Sequence, residues 1–120
     1  VFHDNSPIFL QVADTIRNEI LRGVYAEGDQ VASTNEFAAF YKINPATAGK
    51  GINLLVDQGI LFKRRGIGMF VADGAREQLL KDRKTDFTDN QLRDFAREAR
   101  AVGISLTELQ NLIAQEYEND

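Results

Sequence analysis

Residues 33 to 71 read STNEFAAFYKINPATAGKGINLLVDQGILFKRRGIGMFV, and this stretch decides the fold. Ser33 and Glu36 stand at the spacing of a capping box, in which the serine oxygen accepts from the backbone three residues on and the glutamate reaches back. They predict a short helix whose apolar positions are Phe37, Ala38, Phe40 and Tyr41. Asn44-Pro45 closes that helix, because proline disfavours a helical residue before it. The same pair opens a second helix with a cap and a first-turn proline. Ile52, Leu55 and Val56 share one face of the second helix, which reaches Gln58 and stops at Gly59. Two such helices around a turn at residues 42 to 44 form a helix-turn-helix. The apolar run Ile60-Leu61-Phe62, the basic run Lys63-Arg64-Arg65, the turn Gly66-Ile67-Gly68 and the apolar run Met69-Phe70-Val71 then read as a β-hairpin with its cations at the tip. A helix-turn-helix followed at once by a basic hairpin is a winged helix. Its recognition helix enters the major groove by its N-terminal end, while the wing meets phosphates or the adjacent minor groove.

Upstream, Ser6 as cap and Pro7 at the first helical position introduce Ile8, Phe9, Val12, Ile16 and Ile20 at helical spacing, with Gly23 as terminator. Residues 24 to 32 predict a turn and a short strand at Gln30, Val31 and Ala32. Downstream of Ala72, long charged side chains replace the earlier mixture. Leu79, Leu80, Leu92, Phe95, Ala96, Ala99 and Val102 keep helical spacings up to Gly103. Residues 85 to 89 are poor helix formers and Thr88 with Gln91 resembles a new capping box, so one long helix and two collinear pieces both fit. Ser105 and Glu108 introduce a last helix carrying Leu106, Leu109, Leu112, Ile113 and Tyr117.

The fold class is therefore mainly α with a small β-hairpin: a winged helix-turn-helix over residues 1–72 and a helical region over 73–120. Two amphipathic helices in the second region cannot enclose a core alone. The expected partner is the same pair from a second chain, forming a homodimer across Leu92, Phe95, Ala99, Val102, Leu106, Leu109, Leu112 and Ile113.

Charge supports this division. The 120 residues carry 14 Lys and Arg against 18 Asp and Glu, a formal net charge of -4 that by itself argues against nucleic acid. Residues 1 to 40 hold two cations against six carboxylates, residues 41 to 72 hold five against one, and residues 73 to 120 hold seven against eleven. The middle third is thus +4 between flanks of -4 each, and the predicted reading surface is the basic part. The chain has no cysteine, which excludes disulfides, thiolate metal sites and cysteine nucleophiles. Its single histidine, His3, precedes the first cap in a segment expected to fray. No dinucleotide fingerprint, phosphate loop or metal-ligand constellation is present, so no enzyme, no metal and no cofactor is expected. No apolar run approaches a membrane span, and no basic and apolar leader opens the chain; the expectation is a cytoplasmic protein without membrane contact.

The combination of Pro7-Ile8, Gly28-Asp29, Val31 to Ala38, Ile43 to Thr47, Leu55 to Leu61 and Arg64 to Val71 resembles, in register, the GntR family of bacterial transcription regulators. The Asn-Pro-x-Thr opening of the recognition helix and the short C-terminal region resemble its YtrA subfamily. The resemblance implies a dimeric repressor, often of a transporter operon, that binds a near-palindromic operator in double-stranded DNA. Carried over by position, it implies DNA contacts at Ser33, Asn35, Asn44, Ala46, Thr47, Lys50, Arg65 and Gly66. Many members carry arginine where Asn35 stands, arginine or lysine at Gly49, and Ser-Arg in place of Asn44-Pro45. Operators of arginine-bearing relatives are therefore not transferable. Met69 stands in place of the usual wing threonine.

Within that surface, Asn44 is accounted for by capping alone, and Thr47 suits a phosphate or a thymine methyl. Lys50 lies one turn later, facing phosphate. Arg64 and Arg65 alternate faces, so one of the two faces DNA, and Arg65 beside the glycine tip is favoured. Gly49 and Gly51 each fit either close approach to DNA or tight packing on a neighbouring helix. Phe37 and Tyr41 are expected in the core. A rival reading is a winged helix used as a protein-interaction module, its basic wing binding an acidic partner. A small-molecule effector, where one exists, is expected at the dimer interface or between the two domains.

Overall fold

Val12, Ile16 and Ile20 recur every four residues, which brings them to one face of α1 (Ile8–Leu21), where each is at most 2% exposed. Against that face α3 (Pro45–Asp57) sets Ala48, Ile52 and Leu55, all fully buried. The two helices meet at Gly51: a Cβ there would lie 2.5 Å from the Phe9 carbonyl oxygen and 2.7 Å from Val12. Helix packing is thus sufficient reason for this glycine. Gly49 differs, since a Cβ would make only an ordinary 3.5 Å contact with Thr34.

The computed structural model describes residues 2–119. Its first compact unit runs from Val1 to Lys81. Within it, α2 (Thr34–Tyr41) adds Phe37 and Ala38 to the core. Lys42 ends α2 in the left-handed conformation, at φ 56°, a region unusual for a residue with a side chain. This turns the chain within three residues towards Asn44. Strands β1 (Leu61–Arg64) and β2 (Gly68–Val71) pair antiparallel, with Leu61 opposite Val71 and Arg64 opposite Gly68. Ile60, Leu61 and Val71 close the core beneath them.

Several local expectations are corrected. Pro7 is the N-cap of α1 rather than its first residue, and no side chain caps there. Instead the Ser6 carbonyl accepts from the Gln11 side chain at 2.8 Å. The N-terminal segment is held, not frayed: Gln11 also bonds both the amide and the carbonyl of His3. The strand expected at 30 to 32 is a single bridge from Gln30 to Phe70, because Ser33 already caps the next helix. Backbone bonds from Gly28 to Val71 and from Val31 to Met69 still lay this segment along β2. Beyond Ala72, α4 (Ala75–Asp86) buries Ala75 and Leu79 in the same core, so the first compact unit runs on to Lys81.

The second unit, Asp82–Asp120, contains the end of α4, a π-helical turn (Phe87–Gln91), α5 (Leu92–Ala101) and α6 (Leu106–Glu118). Thr88 starts no new helix; its hydroxyl donates to the Lys84 carbonyl at 2.9 Å. The amide of Leu92 bonds the carbonyl of Phe87, five residues back, so the path stays helical with one widened turn. Gly103, at φ 83°, ends α5, and the Ser105 hydroxyl accepts from the Glu108 amide to start α6. Within this unit Ala99 is buried, whereas Phe87, Leu92, Phe95, Val102, Leu106, Leu112 and Ile113 are exposed.

Candidate nucleic-acid interface

The start of α3 is built by local chemistry. The Asn44 side chain accepts from the Ala46 amide at 2.7 Å, and Pro45 occupies the first position, where no N–H bond is lost. This leaves Asn44 and Ala46 exposed and Thr47 half-buried on the opening turn, with the positive end of the helix dipole beside them. Lys50 follows one turn later, exposed, with its ammonium 4.1 Å from the centre of the Phe9 ring. The contact holds the long side chain against α1 while the charge stays in solvent.

The start of α2 supplies the second group. The Ser33 hydroxyl accepts from the Glu36 amide at 3.1 Å, and the Glu36 carboxylate accepts from the Ser33 amide at 3.0 Å, completing the expected capping box. The backbone bond from Ser33, with its hydroxyl second, holds the Glu36 carboxyl below the ordinary carboxylate range, so it is charged at neutral pH. Asn35 is exposed on the same turn, and Thr34 lies beside Gly49 of α3, which brings the two helix starts together.

The hairpin supplies the third. Phe62 and Phe70 stack with ring centres 5.7 Å apart, and the Arg64 guanidinium lies over both, 5.8 and 5.1 Å from their centres. Arg65 and Gly66 are exposed in the turn. Arg64 is thus held on an aromatic platform and Arg65 occupies the tip.

Sequence reasoning missed the residue that fixes this tip. The Gln30 amide donates to the Ile67 carbonyl at 3.0 Å and fills the space beside Gly68, where a Cβ would come within 2.5 Å of its nitrogen. Gly68 is at φ 146°, so it combines an unusual backbone angle with a site already occupied. No local pattern marks Gln30, because its partner is 37 residues away. Phe9 was likewise read only as a helix position, not as the support of Lys50.

The described residues hold no group of three or more His, Cys, Asp or Glu able to bind a metal, and no helix long and apolar enough to cross a membrane. A family model, Bacterial regulatory proteins, gntR family, matches residues 9–71, the whole of the helix-turn-helix and hairpin. The chain belongs to the GntR family. The HTH-type regulator YhcF of Bacillus subtilis is 31% identical over 108 residues, covering 90% of this chain and 88% of its own. The HTH-type transcriptional repressor YtrA of the same species is 27% identical, covering 92% and 85%. A GntR family regulator from Listeria monocytogenes superposes with a TM-score of 0.79 at 28% identity, covering 95% of this chain and 98% of that one. The DNA-binding domain of AraR, solved with its operator ORX1, superposes with a TM-score of 0.56 at 28% identity, covering 60% and 93%. This GntR protein is accordingly a DNA-binding transcription regulator and not an enzyme.

Proposed function

We propose that this GntR regulator is a repressor that binds a near-palindromic operator as a homodimer. Ser33 and Asn35 at the start of α2, Asn44, Ala46, Thr47 and Lys50 at the start of α3, and Arg64, Arg65 and Gly66 in the wing carry the contacts. Arg65 meets the phosphate or minor groove, and Arg64 contributes charge from its place over Phe62 and Phe70. The observation that carries this reading is the joining of two exposed helix starts at Thr34 and Gly49 within the one segment of net positive charge.

Residues 1–81 then read DNA, and residues 82–120 pair two readers through the exposed Leu92, Phe95, Val102, Leu106, Leu112 and Ile113, together with Ala99 and the half-buried Leu109. Two α-helices with one buried residue between them need such a partner. The likeness to the repressor YtrA supports repression; a transporter operon as the target and the cytoplasm as the place of action complete the proposal.

Selection of bound sequences from a random duplex pool tests the reading. Enrichment of an inverted repeat, bound by the full chain and weakened in Thr47→Ala and Arg65→Ala, is the expected result. Binding to the upstream region of its own gene no tighter than to random duplex would remove the claim of specificity and favour an acidic protein partner for the wing.

A further inference from the structure

A second site lies between α1 and α2. A cavity of about 290 Å³ is lined there by Glu19, Tyr25, Glu36, Phe37, Phe40 and Tyr41. It continues, past Glu19, Phe40 and Tyr41, into a wider cleft bordered by Arg22. Two features set it apart from an ordinary gap between helices. The first is its aromatic wall. Tyr41 packs against Phe37 at 4.5 Å and against Phe40 edge-on at 4.9 Å, yet Phe40 is 78% exposed and contributes no burial to the core. The second is Glu19. Its backbone carbonyl accepts from Val24 at 2.8 Å, but its carboxylate makes no hydrogen bond or ion pair among the described residues.

Burial holds the Glu19 carboxyl above the ordinary carboxylate range, against the opposing pull of Arg22, so the site contains a partly desolvated acid with no hydrogen bond or close ion pair among the described residues. Glu36 adds a second carboxylate, already anchored by the Ser33 amide. Aromatic faces attract cations through the ring quadrupole, and an unpaired carboxylate beside them selects the same charge. An anion would meet both carboxylates, and a neutral apolar ligand would leave Glu19 unpaired.

We propose that this groove binds a small organic cation, an amine or quaternary ammonium of compact apolar body, with its charge against Glu19 and its body among Tyr25, Phe37, Phe40 and Tyr41. The volume lies at the small end of ligand pockets, which run from about 300 to 1,000 Å³, and suits an ion of this size. Every residue of the site belongs to the first compact unit, whereas an effector was expected at the dimer interface or between the two domains. The proposal does not rest on the DNA reading and is measured without DNA.

Choline is the probe, with its neutral isostere 3,3-dimethylbutan-1-ol and sodium chloride at equal ionic strength as controls. Aromatic ring resonances of the full chain are followed by NMR. The expected result is saturable movement of Tyr25, Phe37, Phe40 and Tyr41, with Tyr117 on α6 as the unmoved reference. The neutral isostere should bind about fivefold more weakly or worse, and both Glu19→Gln and Phe40→Leu should weaken choline by roughly the same factor. Both positions lie outside the buried core, and unchanged methyl resonances of the buried Val12, Ile16 and Ile52 in the same unit report that the variants are folded. Equal affinity for choline and its isostere, unsaturable movement, or full choline affinity in Glu19→Gln would each overturn the proposal.

Discussion

The side-chain amide of Gln30 donates to the carbonyl of Ile67 across 3.0 Å, tying the loop before α2 to the tip of the hairpin. Ser33 caps α2 three residues after Gln30, so one short segment sets both a helix start and the wing. A neutral hydrogen bond of this kind contributes about 1 kcal/mol net, enough to hold one loop conformation over its neighbours.

Loss of that bond is expected to weaken DNA binding through the wing alone. Gln30→Ala should cost about fivefold in affinity, and the same change in an Arg65→Ala background should cost almost nothing, since the positioned group is gone. Fluorescence anisotropy on all four proteins measures the coupling. Additive losses would separate Gln30 from the wing.

The two glycines of α3 should respond in opposite directions. At Gly51 an added methyl meets the Phe9 carbonyl and Val12, so Gly51→Ala should destabilise by about 1 to 3 kcal/mol. At Gly49 the methyl fits, and Gly49→Ala should stabilise by up to about 1 kcal/mol through helix propensity. Urea unfolding of the two variants compares them directly.

Two carboxyls on neighbouring helices give opposite pH signatures. The Glu36 carboxyl lies below its ordinary 4.5 in the folded chain, so its contribution is present above the ordinary carboxylate range and is lost as pH falls through its folded value. Glu36→Gln should therefore be less stable than the parent near pH 7, with the gap closing in acid. Burial raises the Glu19 carboxyl, so the folded chain binds that proton more readily; its contribution is full below 4.5 and is lost as pH rises through the folded value. Glu19→Gln should be more stable than the parent near pH 7 and should lose that advantage in acid. Thermal unfolding across pH reads both.

The pairing surface should depend on the helical phase within α5 and not on the widened turn at Phe87–Gln91 before it. Phe87 and Leu92 are five positions apart, and the bond from the Leu92 amide to the Phe87 carbonyl spans that interval. Deleting Asn90 leaves a four-residue α-helical interval and should preserve the dimer. Inserting one alanine after Ala96, inside α5, turns Ala99 and Val102 by about 100° away from Leu92 and Phe95 and should dissociate it. Sedimentation velocity distinguishes the outcomes, and a dimer indifferent to the insertion would place pairing elsewhere.

Salt should report the number of phosphate contacts. With roughly four cations per protomer at phosphates, the logarithm of dimer affinity should fall with the logarithm of salt at a slope near -7, and Arg65→Ala should reduce the slope by about 2 per dimer. A slope near zero would assign the basic wing to something other than DNA.

Much of the fold is written locally. The Ser33 and Glu36 box, the Asn44-Pro45 start, the Gly103 stop and the apolar runs around Gly66-Ile67-Gly68 each act within a few residues, and each forms as read. Their order alone specified a winged helix with a basic middle third and an exposed apolar pair of helices behind it. What the sequence left open depended on partners distant along the chain. Gly51 became a packing residue only when α1 closed on it, and Gln30 became a wing strap only when Ile67 came within reach. Arg64 left Arg65 alone at the tip because Phe62 and Phe70 paired across the hairpin. Ala75 and Leu79 joined the first unit's core only when α4 came to lie against it. Caps, turns and periodicity are short-range and legible in one dimension; steric fit, ring stacking and long-range hydrogen bonds exist only once the chain has brought their two sides together.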